Sequence, residues 1–216
     1  MILRAEAVKK RFAERTILAG ASLTLEPGEV VLLVGANGSG KTTFARILAT
    51  LLPPDDGEIT LDDVPVDEKR SQSRRSIGYA SHAPLLYHGL TPLENLEFFG
   101  RLTGIVAAAQ RGAELLERFG LSAFARTPMT HFSRGMLQRV VLSRALLADP
   151  PFLILDEPYA GLDDEGVATI NDVLADAKAR GTAALLIAHD RERAAAIRTR
   201  ALRLRAGRIE PAQEAA

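Results

Sequence analysis

Gly35, Ala36, Asn37, Gly38, Ser39, Gly40, Lys41, Thr42 and Thr43 set glycines, a lysine and hydroxyls at the spacing of a phosphate-binding loop. The glycines let backbone N–H groups turn inward around phosphate oxygens, and Lys41 brings a point charge to the β and γ oxygens of a nucleotide. A helix opening at this point adds its partial positive charge. Thr42 is placed to ligate Mg²⁺ through its hydroxyl. A merely tight glycine turn would have no use for the Lys41–Thr42 pair.

A second group of chemical residues lies far downstream, where the apolar run Phe152–Leu155 ends in Asp156 and Glu157. Paired acids at a strand end can simply open the next helix. With a phosphate loop upstream they read instead as the other half of a phosphoryl-transfer site. Asp156 would stay ionised beside Mg²⁺, and Glu157 would orient and polarise the attacking water as general base.

Such a site needs strands that end together and helices that begin there. Val30–Val34, Phe152–Leu155 and Ala183–Ala188 are short continuous apolar runs, as expected of central strands in a covered parallel sheet. Helical patterns fall at 42–51, 112–119, 134–148 and 166–180, which makes the fold α/β with ligands at the carboxyl ends of the strands. The N-terminal part differs. Short strands at 2–7, 21–25, 58–61 and 77–80 are punctuated by Pro27-Gly28 and by Pro53 to Gly57, and antiparallel pairing is expected among them. From about 84 to 147 the pattern is mostly helical, an insertion into the α/β core, and 211–216 reads as a frayed tail.

Bulk properties exclude several classes. The 216 residues carry 27 Lys plus Arg against 27 Asp plus Glu, so no net field draws the chain to nucleic acid or anionic lipid. With no cysteine, disulfides and thiolate metal sites are impossible, which fits a reducing compartment. The first ten residues include Arg4, Glu6, Lys9 and Lys10, unlike a secretory signal. The run Val30–Val34 is far short of the ~20 apolar residues of a membrane helix.

The stretch His131-Phe-Ser133-Arg-Gly135-Met-Leu-Gln138-Arg139, followed by Asp156-Glu157-Pro158 and Ala160-Gly-Leu-Asp163, resembles the signature region of ABC ATPases. The resemblance covers nearly the whole chain. It implies one nucleotide-binding domain over residues 1–216. Its core is of the P-loop NTPase (RecA-like) type, with an N-terminal antiparallel β subdomain and a helical signature subdomain. It also implies ATP and Mg²⁺ as ligands, Phe12 stacked on adenine, and His189 as a switch histidine that contacts the γ-phosphate and holds Glu157 with its water. Ser133 and Gly135 would cap the γ-phosphate bound to an opposite copy, with Asp163 coupling the two sites. The assembly implied is a head-to-tail dimer, of two identical chains or with a second ABC ATPase, seated on an integral-membrane permease at the cytoplasmic face of the membrane. No nucleic-acid partner is expected.

Two departures from the family pattern stand out. His82 occupies the position where most members have glutamine; its imidazole could serve the metal-bound water, or it could be an ordinary loop histidine. The signature begins with Phe132 and carries Arg134 and Met136 where glycine and glutamine are common, yet Ser133 and Gly135 remain. His88 and His131 have no partners at metal-ligand spacing, and 67–75 reads as a solvated mixed-charge loop. The segment Leu85–Gly100 resembles the stretch after the glutamine loop in exporter ATPases, so Glu94 and its apolar neighbours are either permease contacts or the start of an amphipathic helix.

Small size, His82 and the Leu90-Thr…Glu94-Asn-Leu segment resemble the ATPase subunit of haem exporters used in cytochrome c maturation. Other small-molecule or lipid exporters are the alternative. A soluble ABC ATPase acting on ribosomes or DNA would be expected to carry two cassettes or a long coiled-coil insertion. A metabolic P-loop kinase would have an acceptor pocket in place of the signature.

Overall fold

The computed structural model describes residues 1–66, 75–81 and 83–212. Its centre is a six-stranded sheet in the order β10 (Arg208–Pro211), β9 (Arg200–Arg205), β3 (Val30–Val34), β8 (Ala183–Ile187), β7 (Phe152–Asp156) and β6 (Ile77–Ala80). Strands β3 (Val30–Val34), β7 (Phe152–Asp156) and β8 (Ala183–Ile187) are buried at every residue. Apart from Asp156 at the tip of β7 they are apolar, because both faces are covered. Val30, Leu32 and Val34 join one hydrophobic cluster with Leu153, Leu155 and Leu186, whereas Val31 and Leu33 face the other with Phe152, Ile154 and Leu185.

Helix α1 (Lys41–Leu48) lies on the second face through Phe44, Ala45, Ile47 and Leu48. The same cluster takes in the four-stranded antiparallel sheet, ordered β2-β1-β4-β5 from β1 (Leu3–Phe12), β2 (Arg15–Leu25), β4 (Asp56–Leu61) and β5 (Val64–Pro65). The first face is covered by α2 (Pro92–Leu102), α3 (Ala108–Arg118), α4 (Arg134–Ala145) and α5 (Asp164–Ala179). The helices between 84 and 147 are α2 to α4, with two short 3₁₀ turns after α3.

Strand β6 (Ile77–Ala80) corrects one expectation. It does not pair antiparallel with the N-terminal strands; it runs parallel to β7 at the edge of the central sheet, Ile77 beside Phe152 and Ala80 beside Leu155. Both of its faces are covered, Ile77 by one cluster and Ala80 by the other, which is the condition of a parallel strand. Strand β1 is longer than the expected 2–7. Register shifts after Ala5 and Val8 interrupt its alternation, and Ala7 adopts φ +48°. Helix α1 stops short of residue 51 because Thr50 turns to φ +59°, just before Pro53 and Pro54. Strands β9 (Arg200–Arg205) and β10 (Arg208–Pro211) complete the sheet, the first beside β3. Residues 67–74 of the expected charged loop, and 213–216 of the tail, lie outside the described residues.

Candidate functional site

The loop between β3 and α1 is shaped by close backbone approaches. A side chain at Gly35 would meet the Leu204 carbonyl oxygen at 2.7 Å, and Gly40 turns at φ +107° against Ile17. Helix α1 starts with no side-chain cap, so the amides of its first turn are free to bind an anion. Lys41 is 7% exposed, and its Nζ donates to the carbonyls of Gly35 at 2.9 Å and Ala36 at 3.1 Å. The Ser39 Oγ is buried with no hydrogen-bond partner. An orphan hydroxyl, a buried ammonium and uncapped amides in one loop fit a phosphate group.

The tip of β7 faces this loop. Asp156 is 2% exposed at the end of the strand. Glu157 follows in the left-handed region at φ +58°, with its N–H donating to the Ile187 carbonyl at 2.8 Å. That conformation costs a non-glycine residue on the order of 1–3 kcal/mol and is held by the surrounding structure. Burial pushes the Glu157 carboxyl above the ordinary glutamate value; His189 lowers it and Asp156 raises it. His189 Nε2 stands 3.3 Å from Glu157 Oε1. A carboxylate with raised proton affinity, next to an imidazole, is suited to take a proton from water.

These residues converge on one open cleft of about 1120 Å³, lined by Phe12, Asn37, Gly38, Gly40, Lys41, Thr42, Thr43, Asp156, Glu157 and His189 among others. Phe12 is 48% exposed and lines the cleft, with Lys10 Nζ over its ring at 5.9 Å from the centroid. Thr42 and Asp156 both face the cleft and supply hard oxygen donors of the kind Mg²⁺ takes. His82 lies outside the described residues.

Arg15, Arg46, Tyr79 and Ser81 also line the cleft, and sequence reasoning passed over them. Arg46 was within reach, since it sits one helical turn after Thr42 on α1. Arg134 lines the cleft too, at the position where the family pattern has glycine.

Ser133, Gly135 and Asp163 stand apart from the cleft wall. Ser133 caps α4, its Oγ accepting from the Met136 N–H at 3.2 Å. Asp163 caps α5 by accepting from the Gly166 N–H at 3.0 Å, and it lies 3.6 Å from Arg139. A side chain at Gly135 would meet the Gly161 carbonyl oxygen at 2.8 Å, so the two turns are packed back to back.

A second exposed feature is aromatic. Tyr87 is 53% and Phe98 39% exposed; their rings meet edge-on at 5.2 Å, with Phe99 behind. Asn95 is fully buried and holds this surface in shape: Oδ1 accepts from the Tyr87 N–H at 2.9 Å, and Nδ2 donates to the carbonyls of Tyr87 and Thr91. Glu94 closes a capping box with Thr91 at the start of α2.

The family model described as ABC transporter matches residues 18–160. The cytochrome c biogenesis ATP-binding export protein CcmA of Methylococcus capsulatus is 37% identical over 87% of this chain and 90% of that protein. The linearmycin resistance ATP-binding protein LnrL of Bacillus subtilis is also 37% identical, over 76% of this chain and 53% of that protein. Among solved structures, the dimeric bacterial ABC transporter cassette MJ0796 superposes with a TM-score of 0.88 at 27% identity, covering 98% of this chain and 99% of that one. A post-hydrolysis dimer of the same cassette, bound to ADP and Pi, gives 0.85 at 26% identity, covering 98% and 99%. Among the described residues no helix is long and apolar enough to cross a membrane. The chain is therefore a member of the ABC transporter family, an ATP-binding and ATP-hydrolysing subunit.

Proposed function

We propose that this chain is the motor of a haem exporter serving cytochrome c maturation, seated peripherally on the cytoplasmic face of the membrane. Support for the cargo comes from the likeness to the Methylococcus export protein, which spans nearly its full length. The motor reading rests on the convergence of Lys41, Asp156, Glu157 and His189 on one cleft.

In this reading, Phe12 stacks on the adenine and the loop from Gly35 to Thr43, with Lys41, grips the phosphates. Thr42 and Asp156 would hold Mg²⁺, with His82 as a further proposed ligand, and the bound ion would supply charge neutralisation at the phosphate oxygens. Glu157 takes the proton of the attacking water, and His189 keeps the carboxylate and the terminal phosphate in register. Ser133, Gly135 and Asp163 face the other way, toward the nucleotide of a second cassette, identical or related. Their position off the cleft wall agrees with that assignment. Losing the shared phosphate then loosens the pair.

A membrane permease takes up this motion. The Tyr87–Phe98 surface is suited to an amphipathic helix from such a partner, because large aromatic rings standing in solvent offer rigid apolar anchors. The whole of residues 1–216 acts as one nucleotide-binding domain, with 84–147 as its helical subdomain.

The cargo is tested in a strain lacking this chain, by staining c-type cytochromes for covalent haem. Cytochromes should lose haem without the chain and regain it with the parent sequence, but not with Glu157→Gln. Normal cytochromes in the deleted strain would remove haem as the cargo. The alternative is export of another small molecule or lipid, favoured by the equal identity to the linearmycin resistance protein. It predicts normal cytochromes and a sensitivity to such compounds instead.

A further inference from the structure

The segment after His189 and the turn before Asp163 are joined by one side chain that the family pattern did not single out. Arg193 Nη1 donates to the carbonyl oxygens of Tyr159 at 3.2 Å and Leu162 at 3.3 Å, while its Nε donates to Asp190 Oδ2 at 3.2 Å. Asp190 also accepts from the Glu192 N–H, which holds the short turn that presents Arg193.

The backbone of Arg193 closes the circuit. Its carbonyl accepts from Asn171 Nδ2 at 2.7 Å, and Asn171 Oδ1 accepts from the Tyr159 hydroxyl at 2.7 Å. Tyr159 is 4% exposed, and burial pushes its pKa far up, so the hydroxyl stays a donor. Tyr159 and Leu162 are themselves set in the hydrophobic cluster over the central sheet.

Neither joined segment has regular secondary structure of its own. Residues 157–162 lie between β7 and α5, and residues 188–193 between β8 and β9. A guanidinium suits the junction because its planar fork can serve two carbonyls and a carboxylate at once; an ammonium lacks that geometry. Arg193 does not line the nucleotide cleft, so direct contact with ATP does not account for it.

We propose that Arg193 is a positioning residue that locks the His189 segment to the Asp163 turn, so that the two move as one body. The inference rests on the roles proposed above for His189 and Asp163. A shift of His189 at the terminal phosphate is thereby passed to the surface that meets the second cassette, and the reverse holds when the pair closes. Without the fork, His189 and Asp163 each keep their own contacts but lose their fixed spacing.

The test compares the full chain with Arg193→Met, Arg193→Lys and His189→Ala, measuring ATPase kcat, ATP affinity by titration without magnesium, and the thermal midpoint. Arg193→Met should lower kcat roughly 10- to 100-fold, the scale of a small misplacement of catalytic groups, with ATP affinity unchanged within about twofold. Arg193→Lys should recover only a minor part of kcat. A purely structural residue would instead lower the thermal midpoint and ATP affinity while sparing kcat at saturating ATP, and that pattern overturns the proposal. Parental kcat in Arg193→Met, with turnover lost in His189→Ala, removes the link alone. Parental kcat in His189→Ala removes the role of His189 and the link with it. Should Arg193→Met fail to fold, parental kcat in Arg193→Lys overturns the proposal.

Discussion

Arg144 lays its guanidinium over the ring of Phe99, 5.1 Å from the centroid, while donating to the carbonyls of Leu85 at 2.6 Å and Tyr79 at 3.3 Å. Helix α4 is thereby fastened to β6 and to the base of the aromatic surface. Burial lowers the pKa of Arg144, yet carbonyl oxygens and a π face still support the charge. Arg144→Met keeps the apolar stem and leaves both carbonyls without their donor, so a loss of about 1–3 kcal/mol is expected in urea unfolding.

Glu157→Gln should keep ATP binding and lose at least about 100-fold in turnover, the contribution of a positioned general base. Steady-state hydrolysis alongside ATP titration checks both halves. Parental turnover would reassign the base.

Acidity should affect the enzyme earlier than it would with an ordinary glutamate. Burial raises the Glu157 pKa, and only the ionised form accepts a proton, so kcat falls on acidification from a pH above the usual glutamate range. Stability has the opposite sign. The folded protein favours the neutral carboxyl more than the unfolded chain does, so that contribution is full below the unfolded pKa and disappears as pH rises through the folded one. Glu157→Gln should therefore melt higher than the parent at neutral pH, with the gap closing in acid. A pH series of melting curves and rates reads both.

Lys41→Met removes the buried ammonium that rests against Gly35 and Ala36. Loss of a charge-assisted contact to the phosphates should weaken ATP roughly 10- to 100-fold in an equilibrium titration. An unchanged affinity would separate Lys41 from the nucleotide.

Tyr87→Ser combined with Phe98→Ser should leave the ATPase activity of the isolated chain within about twofold of the parent, because neither ring lines the cleft. Co-purification with a multi-helix membrane protein should fall at the same time. Full retention of that partner would move the docking surface elsewhere.

Strands β3 and β7 were legible because each is a short apolar run ended by glycine or acid, a pattern set by local chemistry alone. Strand β6 shows where legibility ends. Ile77–Ala80 is plainly a strand, but its parallel partner β7 depends on packing against α4 and on a register with residues far along the chain. The second half of β1 was hidden by Lys9 and Lys10; Lys10 is buried because Asp55 and the Pro53 carbonyl receive its ammonium. Helix α2 was read only as one of two options for the Glu94 segment, although Thr91-Pro-Leu-Glu94 carries the spacing of a capping box. Arg15 and Arg134 reach the cleft from elements whose approach is fixed only by the tertiary fold.

Strand β3, which leads into the phosphate loop, takes both of its sheet neighbours from far downstream: Val30 lies beside Ala184, and Val31 beside Arg200. As the chain leaves the ribosome from its N-terminal end, this apolar ribbon must wait for nearly everything that follows before its edges are covered. Contacts so distant in sequence form slowly, and unpaired strands invite aggregation in the meantime. The loop that follows β3 is thus made early, whereas the strands that flank β3 in the sheet, β8 and β9, are made late.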